Sequence, residues 1–339
     1  MFENINRGFF DELTGEMMQI NQMILVGFFT PFLWIQSAWS CDDPPDHYED
    51  TCKAVFLQNS AYYAGGVALG YFNESGLKIE VSTASTKDVR SRIGKAAIVQ
   101  TTGAIAVTEF VKRKDFRIIY TPIANISAGM WAKAGTSVKN VGDLKGLKIG
   151  VFTNPARTSA LLKSVYASAA LPPGFIKTQS FGSTNNTLIA MKIGAVSASM
   201  LPRHSDTQAK KSGMINLGFY KVPYTRYAFV VPTKMLASKR DREFYAKFLK
   251  SVQKSIKFIK TNRAGTISIL QKYLKVKADK GREIYETYRT SGLEFKIGMD
   301  AVQTVIGHVG PGIPGQSSKA QKFDAKSLVD FSIFKLMSK

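Results

Sequence analysis

From Val55 to Arg92 the chain reads VFLQNSAYYAGGVALGYFNESGLKIEVSTASTKDVRSR, and this stretch restricts the fold more than any other. The apolar run from Val55 to Leu57 predicts a buried strand. Gln58, Asn59 and Ser60 have the composition of a loop at a strand's end. Tyr62 to Phe72 then places Tyr63, Val67, Leu69 and Phe72 at helical spacing. Asn73 to Gly76 stops that helix, with Gly76 suited to the left-handed position. Leu77 to Val81 alternates apolar and polar residues, a second strand. Ser82 to Thr86 is a hydroxyl-rich loop, and Lys87 to Ile93 begins a second helix. Strand, polar loop, helix, turn, strand, loop is a βαβ unit, which commits the chain to a parallel sheet covered by helices.

The alternation continues. Strands are expected from Ala96 to Gln100, from Phe116 to Tyr120 (ending at Thr121-Pro122), and from Met130 to Lys133, the last crossing to a second lobe. A second sheet is expected from Lys148 to Phe152, Lys177 to Phe181, Ala195 to Leu201 and Met214 to Leu217. Tyr227 to Val231 reads as the return to the first lobe. Beyond it the pattern is helical, ending in an amphipathic helix from Asp324 to Met337. The expected organisation is residues 52–125 as the first part of lobe I, 126–224 as lobe II, and 225–339 as the return to lobe I with the C-terminal helices.

The 339 residues suffice for two domains, and 45 % apolar content with 11 % aromatics excludes a disordered chain. Two cysteines (Cys41, Cys52) and three histidines (His47, His204, His308) form no cluster in the sequence, which excludes a disulfide scaffold and the usual zinc spacings. Neither metal nor cofactor is expected. The net charge is +21. Its cations are spread along helical polar faces, as in Lys247, Lys250, Lys254, Lys257 and Lys260, without a zinc-finger, RRM-like or basic-zipper pattern. This reads as a basic solvated surface with no nucleic-acid partner.

Residues 1–40 read as a signal peptide built on the apolar core from Met23 to Ile35, with Ala38-Trp39-Ser40 at the cleavage site. The leader before it is acidic, with Glu3, Asp11, Glu12 and Glu16 against Arg7, which suggests a true start at Met17 or Met18. The mature chain would then be periplasmic or extracellular. Lipid attachment through Cys41 is the less favoured alternative, since Ala38 stands where such sites carry Leu. A Cys41–Cys52 disulfide fits an oxidising compartment. Residues 41–51, rich in Pro and acids, form a linker.

ALGYFNESGLKIEV, from Ala68 to Val81, resembles the first helix and second strand of the substrate-binding proteins of ABC importers. Within them it is similar to the nitrate, sulfonate, taurine and thiamine-precursor branch. GDLKGLKIGV (Gly142 to Val151) and FGSTNNTLIAMKIGAVSASML (Phe181 to Leu201) resemble that branch's entry into the second lobe and its helix-Gly-strand unit. The resemblance runs from about Cys52 to the C-terminus. It implies a type 2 periplasmic-binding-protein fold, α/β and two-lobed, each lobe a mostly parallel sheet flanked by helices. It also implies a solute held between the lobes by hinge closure, a membrane permease as partner, a monomer, and no catalysis. Family members commonly carry Asp where this chain has Ala97 and Ser197, which makes the ligand class the least transferable feature.

Ligands of open α/β sheets sit beyond the carboxyl ends of the strands, where loops and helix N-termini favour anions. Those loops offer Gln58, Asn59, Ser60 and Tyr62, then Ser85 and Thr86, then Thr101 and Thr102. In the second lobe they offer Thr153, Asn154, Arg157, Thr158 and Ser159, then Ser183 and Thr184, then Pro202, Arg203 and His204. Arg157, beside two hydroxyls in a helix's first turn, is the sharpest candidate, because an Arg there opposes the helix dipole unless an anion joins it. Ser85 and Thr86 read equally well as a helix cap. An anionic or polar-aromatic solute is expected: a sulfonate, nitrate, a carboxylate or a thiamine-precursor-like compound. The alternatives are an enzyme of the same fold acting on a small metabolite, or a basic protein binding nucleic acid or an anionic polymer. No Gly-x-Ser-x-Gly, phosphate-binding loop or paired carboxylates supports the enzyme.

Overall fold

A computed structural model describes residues 52–57, 69–152, 155–309 and 323–337. The two strands of the expected opening unit are present; most of the helix expected from Tyr62 to Phe72 lies outside the described residues, and the helix described there runs on through Asn73 and Glu74. Strand β1 (Cys52–Leu57) pairs in parallel with β2 (Ile79–Ala84), and helix α1 (Tyr71–Glu74) lies between them in sequence. Gly76, at φ 68°, takes the left-handed turn that ends it. After α2 (Val89–Arg92) come β3 (Ile98–Thr102), α3 (Gly103–Lys112) and β4 (Phe116–Ala132). A short turn of 3-10 helix, Val141–Leu144, leads into β5 (Lys148–Val151), α4 (Pro155–Ser168), β6 (Lys177–Ser180), α5 (Thr184–Lys192) and β7 (Ala198–Pro202). The chain continues through α6 (Asp206–Lys211) and β8 (Ile215–Pro232). It finishes in α7 (Lys239–Thr261), α8 (Arg263–Leu274), α9 (Ala278–Ser291), α10 (Met299–His308) and α11 (Ser332–Met337).

All eight strands join one hydrogen-bonded sheet in the order β2-β1-β3-β8-β4-β7-β5-β6. Two sheet halves were expected; they are continuous because β4 and β8 are long and antiparallel and run through both. The segments read as separate strands, Phe116 to Tyr120 and Met130 to Lys133, are the two ends of β4. Met214 to Leu217 and Tyr227 to Val231 are likewise the two ends of β8. Pro122 does not end β4 because the register shifts around it, between Tyr120 and Ile123, and a bulge tolerates a proline's missing donor. The Pro122 carbonyl accepts from Glu294 N (3.1 Å), and Thr121 Oγ1 accepts from Gly298 N (3.0 Å), so the loop before α10 docks on this bend.

Side chains alternate across the sheet. Val99, Val230, Met130 and Met200 enter one core with α3, α4 and α10. Ile98, Phe229 and Val231 enter a second core under α7, while Trp131 and Leu201 enter a third under α5. Helix α7 buries Tyr245, Phe248, Leu249, Val252, Ile256 and Ile259, the stripe its 3.6-residue period requires. Phe248 stacks on Phe72 with centroids 5.4 Å apart and meets Phe229 at 5.8 Å.

The expected final helix from Asp324 to Met337 is shorter. Ile118 N donates to Leu328 O (2.8 Å) and Asp330 N donates to Ile118 O (2.9 Å), which holds Val329 as a bridge to β4 and delays the helix until Ser332. Asp330 Oδ1 then accepts from Ser332 N (2.7 Å) and starts α11. The signal-peptide, linker and Cys41 expectations lie outside the described residues. Among the described residues no helix is long and apolar enough to cross a membrane.

Candidate functional site

Arg157 from the start of α4, Arg203 and His204 after β7, and Arg226 from β8 line one small space. Pro155 opens α4, a residue whose fixed φ suits a helix start. It sets Arg157 in the first turn with its guanidinium Nε shielded from solvent. Burial and the nearby Arg226 cation pull the Arg157 guanidinium down to about 10, against the opposing influence of Tyr227 and Tyr224. Tyr224 is pushed up to about 12, chiefly by burial, while Arg157 draws it back. The Arg226 guanidinium lies 5.2 Å from the Tyr227 ring centre and that of Arg157 5.8 Å from Phe152. Two neighbouring cations repel each other, and an anion between them relieves that repulsion.

Arg203 and His204 follow β7 and complete the cluster. Arg203 binds Asp206 (2.5 Å) and lies flat over Phe219 (3.7 Å). His204 Nδ1 is 3.1 Å from Thr287 Oγ1 on α9, and its Nε2 is 4.0 Å from Glu283 Oε1. Burial, reinforced by Arg226 and Lys280, pulls the imidazole down to about 4 despite Glu283 and Glu286. Arg157, Arg203, His204 and Arg226 close, with Ser127 and Thr290, around a space of about 10 Å3, room for about one water. Thr158 Oγ1, next to Arg157 in sequence, Tyr224 OH and Thr225 Oγ1, just before Arg226, and Thr101 Oγ1 are buried and make no hydrogen bond among the described residues. Each such group costs about 1–3 kcal/mol until something pairs with it. A roomier groove of about 820 Å3 runs along α4 past Thr158, Ser159, Tyr166 and Ser180 to His308. It is lined mainly by Leu162, Leu171, Pro173 and other apolar groups.

Of the residues expected at the site, the structure brings Arg157, Arg203 and His204 together, while Thr158 lines the neighbouring groove and Thr101 pairs with Ala228 in the sheet. His204 is no stray surface histidine, since α9 covers it. Ser159 is exposed along the groove. Thr102 caps α3, accepting from Ile105 N (3.2 Å), and Ser183 caps α5, accepting from Asn186 N (3.1 Å), with Thr184 the first residue of that helix. Ser85 exchanges hydrogen bonds with Asp88 ahead of α2, and Thr86 is exposed beside it. Gln58, Asn59, Ser60, Tyr62, Thr153 and Asn154 lie outside the described residues. Sequence reasoning missed Arg226, Tyr224 and Thr225 on β8, and Thr287 and Thr290 on α9. A lone Arg inside the run YTRYAFVV was the available signal.

A mixed sheet crossed by two long antiparallel strands, with strand ends and helix N-termini converging on one cluster, defines a periplasmic-binding-protein fold. Solved structures agree. The chain superposes on a periplasmic sulfonate-binding protein, SsuA, of a sulfonate ABC transporter from Methylobacillus flagellatus KT, with TM-score 0.63 and 11 % identity over 85 % of this chain and 93 % of that one. The periplasmic aliphatic sulphonate binding protein SsuA from Escherichia coli gives TM-score 0.60 and 13 % identity over 80 % and 91 %. A ligand-binding component of an ABC-type import system from Staphylococcus aureus, solved with zinc bound, gives 0.57 and 14 % over 85 % and 98 %. No curated protein sequence matches the chain. The family model described as NMT1/THI5 like matches residues 58–264, more than half of the chain, and the protein belongs to that family.

Proposed function

We propose that this protein is the solute-binding component of an ABC-type importer, and that it captures a small anion of the sulfonate or carboxylate kind at Arg157 and Arg226. The observation that carries the reading is the juxtaposition of those two guanidinium groups around one small space, with buried hydroxyls on their sequence neighbours Thr158, Tyr224 and Thr225 that make no hydrogen bond among the described residues. An oxyanion with several acceptor atoms suits guanidinium forks and hydroxyl donors at once. The sulfonate-binding proteins among the structural neighbours support the same chemistry.

The central space of about 10 Å3 is too small for a sulfonate, so entry requires the surrounding loops to separate. Residues 52–125 with 225–339 form one lobe in this reading, residues 126–224 the other, and β4 and β8 bend between them. Contacts made to solute by both lobes would favour the closed form. The partner is a membrane permease that reads that form, and the chain acts outside the cytoplasm as a monomer.

Thermal unfolding of the protein against sulfonates, carboxylates, nitrate, phosphonates and pyrimidines tests the reading. A ligand at about 100 times its dissociation constant adds about 2.7 kcal/mol. Arg157→Gln should abolish that shift. A flat panel, or a shift retained in R157Q, refutes the site.

A further inference from the structure

Helix α7 turns one face to the core and the other to water, and its wet face carries nearly one sign of charge. Lys247, Lys250, Lys254, Lys257 and Lys260 are all exposed, and Glu243 is the helix's only exposed acid. Neighbours in this row stand three or four positions apart, so their ammonium groups adjoin along the helix and each like-charged pair destabilises it. Glu243 answers Lys239 (3.8 Å) and Glu74 answers Lys254 (2.8 Å). Lys247, Lys250, Lys257 and Lys260 have no carboxylate at ion-pair distance among the described residues.

On α9, by contrast, Lys280 meets Glu283 at 2.9 Å, Arg289 meets Glu286 at 2.6 Å, and Arg282 pairs with Asp279. The α7 row lacks that local neutralisation. It spans most of a 23-residue helix, about 35 Å long, and it sits on a chain of net charge +21. In the isolated molecule the repulsion is uncompensated, and a surface of opposite charge compensates it.

We propose that the exposed face of α7 is a docking surface for an anionic phospholipid bilayer, engaged through Lys247, Lys250, Lys257 and Lys260. Ammonium groups are hydrated point charges suited to diffuse attraction, whereas the planar forks that grip individual phosphates of nucleic acid belong to arginine. Gln253 is the one other exposed position between these lysines, and the aromatic ring among them, Phe258, is half-buried, a poor platform for stacking bases. A straight helix flank presents a line of charge to a plane, and each cation near such a surface strengthens adsorption about fivefold. The apolar side of α7 stays in the core, so the attachment is electrostatic and does not insert. The inference stands apart from the solute reading and holds whichever solute is bound.

Co-sedimentation of the full chain with phosphatidylcholine vesicles, with and without phosphatidylglycerol, is the test. The apolar stretch from Met23 to Ile35 acts on both vesicle types, so the readout is the difference between them. Preferential binding to the anionic vesicles that is released by high salt is expected. The combined Lys247→Gln, Lys250→Gln, Lys257→Gln and Lys260→Gln variant should lose that preference several hundredfold, about fivefold per lysine, and melt no lower than the parent. Three results overturn the proposal: equal binding to both vesicle types at low salt, a preference unchanged in the variant, or tighter lysine-dependent binding to duplex DNA than to the vesicles. Salt release of the parent keeps the test decisive if the variant fails to fold.

Discussion

Acid should destabilise this protein through His204, which burial holds neutral in the fold. The Thr287 hydroxyl donates to Glu283 O (3.0 Å), so it accepts from Nδ1–H of His204, and Nε2 is the nitrogen left to take a proton. The ring takes that proton at about 4 in the folded protein, against an ordinary 6.5. Between those values the unfolded chain binds more protons than the native one. Stability is therefore complete above about 6.5, drains as the pH falls, and levels off near 4. The slope is about 1.4 kcal/mol per pH unit for one proton, which gives a loss of about 2 kcal/mol between about pH 7 and about pH 5. The side chain is only 14 % exposed, so solvent screening takes little from that figure. Urea unfolding across this range, compared between the parent and His204→Gln, isolates the contribution from that of the carboxylates. The glutamine variant should lose about 2 kcal/mol less on acidification. Parallel curves for the two proteins refute the reasoning.

Two further changes test the packing behind the site. A Cβ at Gly103 would stand 2.2 Å from the Thr225 carbonyl oxygen; Gly103→Ala should cost about 1–3 kcal/mol in urea unfolding and weaken solute-linked stabilisation by displacing the strand that carries Arg226. Phe248 is fully buried among Phe56, Phe72 and Phe229; Phe248→Ala should lower stability by about 3–5 kcal/mol and leave the solute preference unchanged.

The two parallel strands at the beginning and most later elements among the described residues were legible in the sequence, because period-2 and period-3.6 patterns are local. What escaped is what depends on distant partners. Pro122 looked like a strand end, and nothing nearby announces that the loop at Glu294 and Gly298 supplies the hydrogen bonds that let β4 pass it. The segment before α11 kept an amphipathic pattern, yet its backbone pairs with Ile118. Arg157 was legible because its helix start makes a cation conspicuous. Arg226 was not, since within a strand a single charge reads as an outward-facing residue, and only the position of α4 turns it into a partner of Arg157. Thr287 and Glu283 lie on a helix far from any strand end, so His204 could not be assigned its neighbours in advance.

The pairing of β3 with β8 also sets a timetable for synthesis. Val99 and Gln100 find their partners in Val230 and Phe229, about 130 residues further along the chain. At roughly 5–20 residues per second, a ribosome leaves that apolar edge open for on the order of ten seconds. Until β8 emerges, β1, β2 and β3 form a sheet fragment with a bare, buried-type margin, the kind of surface that pairs with the wrong chain. The first third of this protein is thus made long before it can be finished, and holding it unfolded in the meantime is a requirement the topology places on the cell.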